Sequence, residues 1–111
     1  MKHTILDAHH DPMGAAIYDY QHTGKAAQLR VMSSMFEDDE MPVDHLFRSF
    51  KQMPQLEQKA LEMARGRVLD IGAGAGCHAL ALQERGLQVK AIDISPLSCE
   101  VMRERGIKDV E

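Results

Sequence analysis

The chain has 111 residues, enough for one domain. Its apolar fraction of 44% and charged fraction of 27% are ordinary for a globular protein, and a net charge of −4 without a basic stripe argues against a binder of nucleic-acid backbones. Two cysteines, no apolar leader after Met1-Lys2-His3 and no apolar run of membrane-spanning length point away from a disulfide scaffold and a membrane protein, so a cytoplasmic location is expected.

Asp11-Pro12 predicts a helix start, with Asp11 as N-cap and Pro12 at the first helical position. Met13, Ala16, Ile17 and Tyr20 recur at spacings of three and four and form one apolar face, and Gly24 ends the helix. Leu29 to Ser34 alternates as an extended segment would, and a helix also accommodates it. Glu37-Asp38-Asp39-Glu40 is an acidic run expected in a solvated loop rather than at a cation or basic-partner site. Pro42 to Phe50 reads as a short helix burying Val43, Leu46, Phe47 and Phe50. Pro54 opens another that runs to about Ala64, with Leu56, Ala60, Leu61 and Met63 as its apolar positions and Gly66 behind its end. The pattern changes near Arg65-Gly66. Residues 1–65 read as an N-terminal helical or lid segment, and residues 66–111 as an alternating strand–helix unit.

Arg67 to Ile71 is the first strand of that unit, and its apolar content suits a strand buried on both faces of a parallel sheet. Cys77 to Arg85 reads as the crossover helix, with Cys77, Leu80 and Ala81 on one face. Gly86 stops it, and Leu87 to Ile92 is the second strand. Ser95 caps the next helix, Pro96 takes its first position, and Leu97, Val101 and Met102 give it a buried side. Gly106 ends that helix, and Ile107 to Glu111 turns toward a third strand. The expected fold class is therefore α/β, a partial Rossmann-like arrangement of N-terminal helices followed by strand, helix, strand and helix.

Asp70-Ile71-Gly72-Ala73-Gly74-Ala75-Gly76 joins the first strand to its helix. Glycines at alternate positions admit positive φ and let a ligand approach backbone that a Cβ would screen. The N–H groups that open the following helix are then expected to face the ligand. Asp93 ends the second strand about 20 residues after Gly72, where a carboxylate accepts both hydroxyls of a ribose. Two cofactor types compete for this arrangement. A dinucleotide pattern can be laid over Gly74, Gly76 and Ala79, whereas Asp-x-Gly-x-Gly-x-Gly fits Asp70, Gly72, Gly74 and Gly76 without adjustment. Asp70 repels a pyrophosphate and attracts an ammonium. S-adenosylmethionine carries an ammonium and a sulfonium and no phosphate, so the charge logic favours it.

At these residues the chain resembles the class I S-adenosylmethionine-dependent methyltransferases. Val68-Leu69-Asp70-Ile71-Gly72-Ala73-Gly74-Ala75-Gly76 looks like their first motif, and Ala91-Ile92-Asp93-Ile94-Ser95-Pro96 like their second. The likeness covers about Arg67 to Val110. It implies that the glycine turn lies against the methionine part of the cofactor, that Asp70 contacts its amino group and that Asp93 binds its ribose. Gly72, Ala73, Gly74, Gly76 and Ile94 complete the implied cofactor-binding set. Tyr18 and Tyr20 become candidates for a lid above the site, against the plainer reading that they pack their own helix.

The family's fold is three-layered around a seven-stranded sheet, and this chain supplies the first two strands. The resemblance thus implies the N-terminal portion of a longer methyltransferase, truncated before the third strand and inactive alone, with the methyl acceptor and the catalytic residues unassigned. Unpaired strand edges make a homo-oligomer, or strands supplied by a second chain, the matching expectation for assembly. Two other functions stay open: a non-catalytic binding or self-associating module, and a fragment of an NAD-dependent oxidoreductase.

The remaining chemistry-bearing residues are weaker. His9-His10-Asp11, with His22 and His45, matches no zinc spacing, so no metal site is expected. His78, in the first turn of the crossover helix, is a candidate base or substrate contact. Cys77 and Cys99 read as buried thiols rather than nucleophiles. Met32, Met35, Met41 and Met53 read as gap-filling residues.

Overall fold

The computed structural model describes residues 10–31 and 39–111. The expectations for His9, Met32, Ser33, Ser34, Met35, Glu37 and Asp38 lie outside these. Helix α1 (Pro12–Thr23) starts as its sequence predicts: the Asp11 side chain accepts the Gly14 N–H, and Pro12 fills the first helical position. Gly24, at φ 74°, closes it by donating its N–H to the Tyr20 carbonyl. Its buried residues are Gly14, Ala16 and Ile17, while Met13 faces solvent, so the apolar face is narrower than its spacing suggested.

Strands β1 (Gln28–Val31) and β2 (Asp39–Pro42) pair antiparallel, from Gln28 opposite Pro42 to Val31 opposite Asp39. The described part of the ambiguous segment, Leu29 to Val31, is therefore extended, and Asp39 and Glu40, expected in a loop, lie in a strand because the ladder supplies backbone partners a loop lacks. The helix expected over Pro42 to Phe50 is instead two 3-10 turns, Val43–Phe47 and Phe50–Gln52. Arg48 and Ser49 between them are extended. Ser49 and Gln52 form a capping box that restarts the chain, with Gln52 Oε1 accepting the Ser49 N–H at 2.8 Å. Val43 is buried, and Leu46, Phe47 and Phe50 are half-buried.

Helix α2 (Gln55–Met63) buries Leu61 alone. Leu56 and Met63 are 83% and 69% exposed and Ala60 is exposed, which corrects their assignment as core positions. Strand β3 (Arg67–Ile71) and strand β4 (Gln88–Ile92) run parallel in register, Arg67 opposite Gln88 through Ile71 opposite Ile92. Helix α3 (Cys77–Glu84) crosses between them, and helix α4 (Pro96–Glu104) follows, capped by Ser95. Past α4, Val110 bridges Ala91 in the parallel sense, with Ala91 N–H on the Asp109 carbonyl and Glu111 N–H on the Ala91 carbonyl, both at 2.9 Å. Residues 109–111 thus lie along the edge of β4 away from β3, where the expected third strand begins.

One apolar cluster lies between the sheet, α3 and α4 and includes Leu61, Ala79, Leu82, Val89, Ala91 and Met102. A second joins α1, the first 3-10 turn and α4 through Ile17, Val43, Ala75 and Val101. Packing therefore crosses the change of pattern at Arg65-Gly66. Strand β3 departs from expectation. Val68 and Asp70 turn toward the covered face and are half-buried, but Leu69 is 55% and Ile71 72% exposed. The opposite face of the sheet has no covering layer among the described residues, so alternation replaces the two-sided burial its composition predicted.

Candidate cofactor site

β3 and β4 end side by side, and the glycine turn begins at their shared carboxyl edge. The N–H groups of Gly72 and Ala73 both donate to the Ile92 carbonyl, at 2.9 and 3.0 Å, which folds the turn back over the end of β4. The Gly74 N–H donates to Asp93 Oδ2 and the Ser95 N–H to Asp93 Oδ1, each at 2.9 Å. The Gly76 N–H donates to the Ala73 carbonyl at 2.9 Å. Four donors of the turn are thus used within the protein. Asp93 is held between two backbone amides, and a carboxylate with about four lone-pair sites retains acceptor capacity beyond those two bonds.

The alternate glycines have different surroundings. Gly72 has φ +68°, and no atom lies within 4 Å of where its Cβ would stand. Gly74, at φ +60°, has only Ile17 Cδ1 there, at 3.9 Å. Gly76, at φ +83°, faces inward: a Cβ would overlap Ile107 Cδ1 and sit 2.9 Å from Met102 Cγ. Gly72 therefore opens backbone to an incoming molecule, whereas Gly76 lets the turn pack onto α4.

Gly76 is also the N-cap of α3 and has no side chain to bond the helix's free donors. Asp70 takes that role, accepting a backbone hydrogen bond from Ala79 in the first turn. Burial pushes the Asp70 carboxyl up from its ordinary value, the charge of His78 and the Ala79 bond pull it down, Asp93 adds to the rise, and the net direction is up. The acid ahead of the glycines is thus a half-buried helix cap beside a second carboxylate, and the nearby pair of negative charges favours an added ammonium.

The N-terminal segment braces the turn from the other side. Ala75 is buried against Ile17, Val43 and Val101. Arg105, at the end of α4, donates from Nη1 to the Ala75 carbonyl at 2.6 Å and lies 4.8 Å above the Phe47 ring. Burial pushes its guanidinium down from the ordinary value, with Cys77 and Glu84 acting in the opposite sense. Sequence reasoning missed Arg105, which reads only as a cation near a helix end. The tyrosine rings are engaged elsewhere: Tyr18 stacks on His22 with centroids 4.1 Å apart, and Tyr20 meets Phe47 at 4.6 Å. The side chain of α1 that approaches the turn is Ile17.

Among the other candidates, His78 Nε2 lies 3.6 Å from Glu57 Oε2, and Glu57 also pairs with Arg48 at 3.0 Å. Burial pulls the Glu57 carboxyl up, Arg48 and then His78 pull it down, and the net direction is down. Cys77 is half-buried and Cys99 buried, both free, and burial pushes both thiols up, which suits packing rather than nucleophilic chemistry. Among the described residues no cluster of three or more His, Cys, Asp or Glu is placed to hold a metal ion, and no helix is long and apolar enough to cross a membrane. A surface cleft of about 680 Å³ lies between Arg67, Gln88 and Lys108, at the amino ends of the strands and away from the glycine turn. Sheets of this type take ligands at the carboxyl ends, so the cleft is not read as the site.

A parallel strand–helix–strand unit with an acid, a glycine turn and a second acid at the strands' carboxyl edge defines a nucleoside-type cofactor fold. The family model described as a methyltransferase domain matches residues 69–111. A solved structure of an S-adenosylmethionine-dependent methyltransferase from Bacteroides fragilis, in complex with S-adenosyl-L-homocysteine, is 64% identical, with a TM-score of 0.86 over 96% of this chain. The chain spans 44% of the length of that protein. A comparison with curated proteins finds no match. The chain is thus similar to a methyltransferase-domain family over residues 69–111 and to part of an S-adenosylmethionine-dependent methyltransferase over nearly its whole length, and it holds part of a Rossmann-like methyltransferase fold.

Proposed function

We propose that this chain forms the S-adenosylmethionine-binding portion of a methyltransferase. Asp70 receives the cofactor's ammonium, Gly72, Ala73 and Gly74 present backbone to its methionine part, and Asp93 takes its ribose hydroxyls. Ile94, 55% exposed beside Asp93, offers an apolar surface to the adenine. Gly76 contributes by letting the turn pack. Tyr18 and Tyr20 contribute through the packing of α1. The observation that carries this reading is Gly72: a positive-φ glycine over open space, with Asp70 close before it and Asp93 at the end of the adjoining strand. S-adenosylmethionine supplies an activated methyl carbon, and the chain's contribution to the transfer is to hold that carbon's carrier in place.

An NAD-type reading is less well supported. Asp70 opposes a pyrophosphate, and the N–H groups of Gly72, Ala73, Gly74 and Gly76 that would cradle one are already bonded. Calorimetric titration of the 111-residue chain with S-adenosylhomocysteine and, in parallel, NAD tests the choice. Binding of the first and not the second is expected, with Asp93→Ala weakening it about tenfold or more, the scale of a lost charge-assisted hydrogen bond. Absence of S-adenosylhomocysteine binding, or tighter binding of NAD, would overturn the proposal.

The exposed Leu69 and Ile71 and the edge of β3, unpaired among the described residues, favour a second reading, about assembly rather than chemistry: self-association through that strand. Sedimentation that shows only monomer across a hundredfold range of concentration would reject it.

A further inference from the structure

Asp11, Ser95 and Ser98 are the buried polar residues among those described, and they lie where α1 meets α4. Asp11 Oδ1 accepts the Gly14 N–H at 2.9 Å and caps α1. Its Oδ2 accepts the hydroxyl of Ser95. The same Ser95 Oγ accepts the Ser98 N–H at 3.1 Å and caps α4. Two helix caps, distant in sequence, are thus bonded to each other, each still capping its own helix. The Ser95 N–H then donates to Asp93 Oδ1, and Asp93 Oδ2 holds the Gly74 N–H. A continuous chain of hydrogen bonds runs from α1 to the glycine turn.

Gly14 shows that this contact is built in. It lies inside a helix, where glycine is a poor former. A Cβ at that position would overlap Asp11 Oδ2 and Ser95 Oγ, so any other residue would force the two caps apart.

We propose that Asp11 is a positioning residue of the cofactor site: through Ser95 it fixes the Asp93 carboxylate against the glycine turn, so that docking of α1 and occupation of the site form one coupled equilibrium. The inference rests on reading Asp93 as a ribose ligand. By linkage, a cofactor that gains from a fixed Asp93 must in turn stabilise the docked α1 by the same factor. On this view the N-terminal helix belongs to the site's framework and is not a free lid.

Amide hydrogen exchange on the 111-residue chain tests this with and without ligand. Without ligand, Asp11→Ala is expected to speed exchange at Gly74 and Ser95 at least tenfold relative to Leu80 and Ala91, whose partners lie elsewhere. Asp11→Asn, of the same shape and able to bond both Gly14 and Ser95, should restore most of the protection. Unchanged Gly74 and Ser95 rates in Asp11→Ala overturn the proposal. If Asp11→Ala does not fold, the wild-type chain decides. Saturating S-adenosylhomocysteine should then slow Ala15 in α1 and Gly24 at its C-cap at least fivefold, within the usual range of site coupling. Slowing at Gly74 with no change in α1 overturns the inference while leaving the cofactor site intact. A wild-type chain that binds no S-adenosylhomocysteine removes the proposed function, and the ligand-free comparison still decides the role of Asp11.

Discussion

The two faces of the parallel sheet are made by the same two strands, yet they are physically opposite. On one, Val68 and Asp70 stand beside Val89 and Ala91 under α3 and α4, and Val89 and Ala91 are buried. On the other, Leu69 and Ile71 stand beside Lys90 and Ile92, and both β3 side chains are more than half exposed. Composition does not separate these faces, since both carry branched aliphatics. The covering layer does. The glycine turn inherits the same division, because Gly76 faces α4 and Gly72 faces open space.

The largest expected effect tests that division in the turn. Gly76→Ala must accommodate a Cβ that overlaps Ile107 in a left-handed backbone, so a loss of about 3 to 5 kcal/mol is expected from overpacking and φ strain together. Gly72→Ala meets no neighbour and should lose only about 1 to 2 kcal/mol, from its positive φ. Binding should rank the other way. Where both variants are folded, Gly72→Ala should weaken S-adenosylhomocysteine more than Gly76→Ala does. Urea unfolding and calorimetry on the two variants give both rankings, and equal stability losses would erase the distinction between the two glycines.

Next in size is the covered face itself. Met102 is fully buried between α4 and the sheet, and it also meets the Cβ position of Gly76. Met102→Ala should cost about 2 to 5 kcal/mol by urea unfolding, the range for a large aliphatic removed from a core. A loss below about 1 kcal/mol would mean that α4 does not pack on this face in solution.

The sequence made the helix ends and the placement of the candidate site residues legible because both depend on local signals. Asp11-Pro12, Ser95-Pro96 and the glycines behind α1 and α4 set helix ends by capping chemistry, and the structure keeps them. Asp70, the glycine turn and Asp93 fall at the strands' carboxyl edge because a strand–helix–strand unit of this length must place them there. What was not legible depends on partners. Leu56, Met63, Leu69 and Ile71 carry core composition, but their burial is a property of whatever covers them. The bond between Asp11 and Ser95 is likewise invisible in the sequence, although each residue reads as a cap, since nothing local says that two caps will meet. The break at Arg48 and Ser49 follows from a capping box, a signal present in Ser49 and Gln52 that the apolar spacing around it masked.

A smaller effect concerns the one charged group that β3 sends to the covered side. Burial raises the Asp70 carboxyl above its ordinary value of 3.8, so folding favours its protonated form. Its contribution to stability is therefore fully present below that value and lost as pH rises through the higher folded-state value. Asp70→Asn keeps an acceptor for Ala79 and removes the charge. The stability of Asp70→Asn relative to wild type should rise with pH from about 3.8 upward and then level off. At neutral pH the variant should unfold no more readily than wild type, yet bind S-adenosylhomocysteine about tenfold more weakly for want of a charged partner to the ammonium. A relative stability that falls as pH rises would show instead that the ionised Asp70 is favoured by its cap, and would move its main role from ligand to fold.

The smallest expected effect is the sharpest probe of the open face. Val89→Ala, on the covered side, should cost about 2 kcal/mol for the buried methyl groups it removes. Leu69→Ala removes more carbon from the neighbouring strand, yet should change stability by less than about 0.5 kcal/mol, because the side chain is already mostly hydrated. The dependence on protein concentration gives this comparison its force. If a second copy pairs along β3, the cost of Leu69→Ala should grow toward that of Val89→Ala as concentration rises, since burial then comes with association. A large cost that does not vary with concentration would place the cover within the same chain, and the two faces would cease to differ.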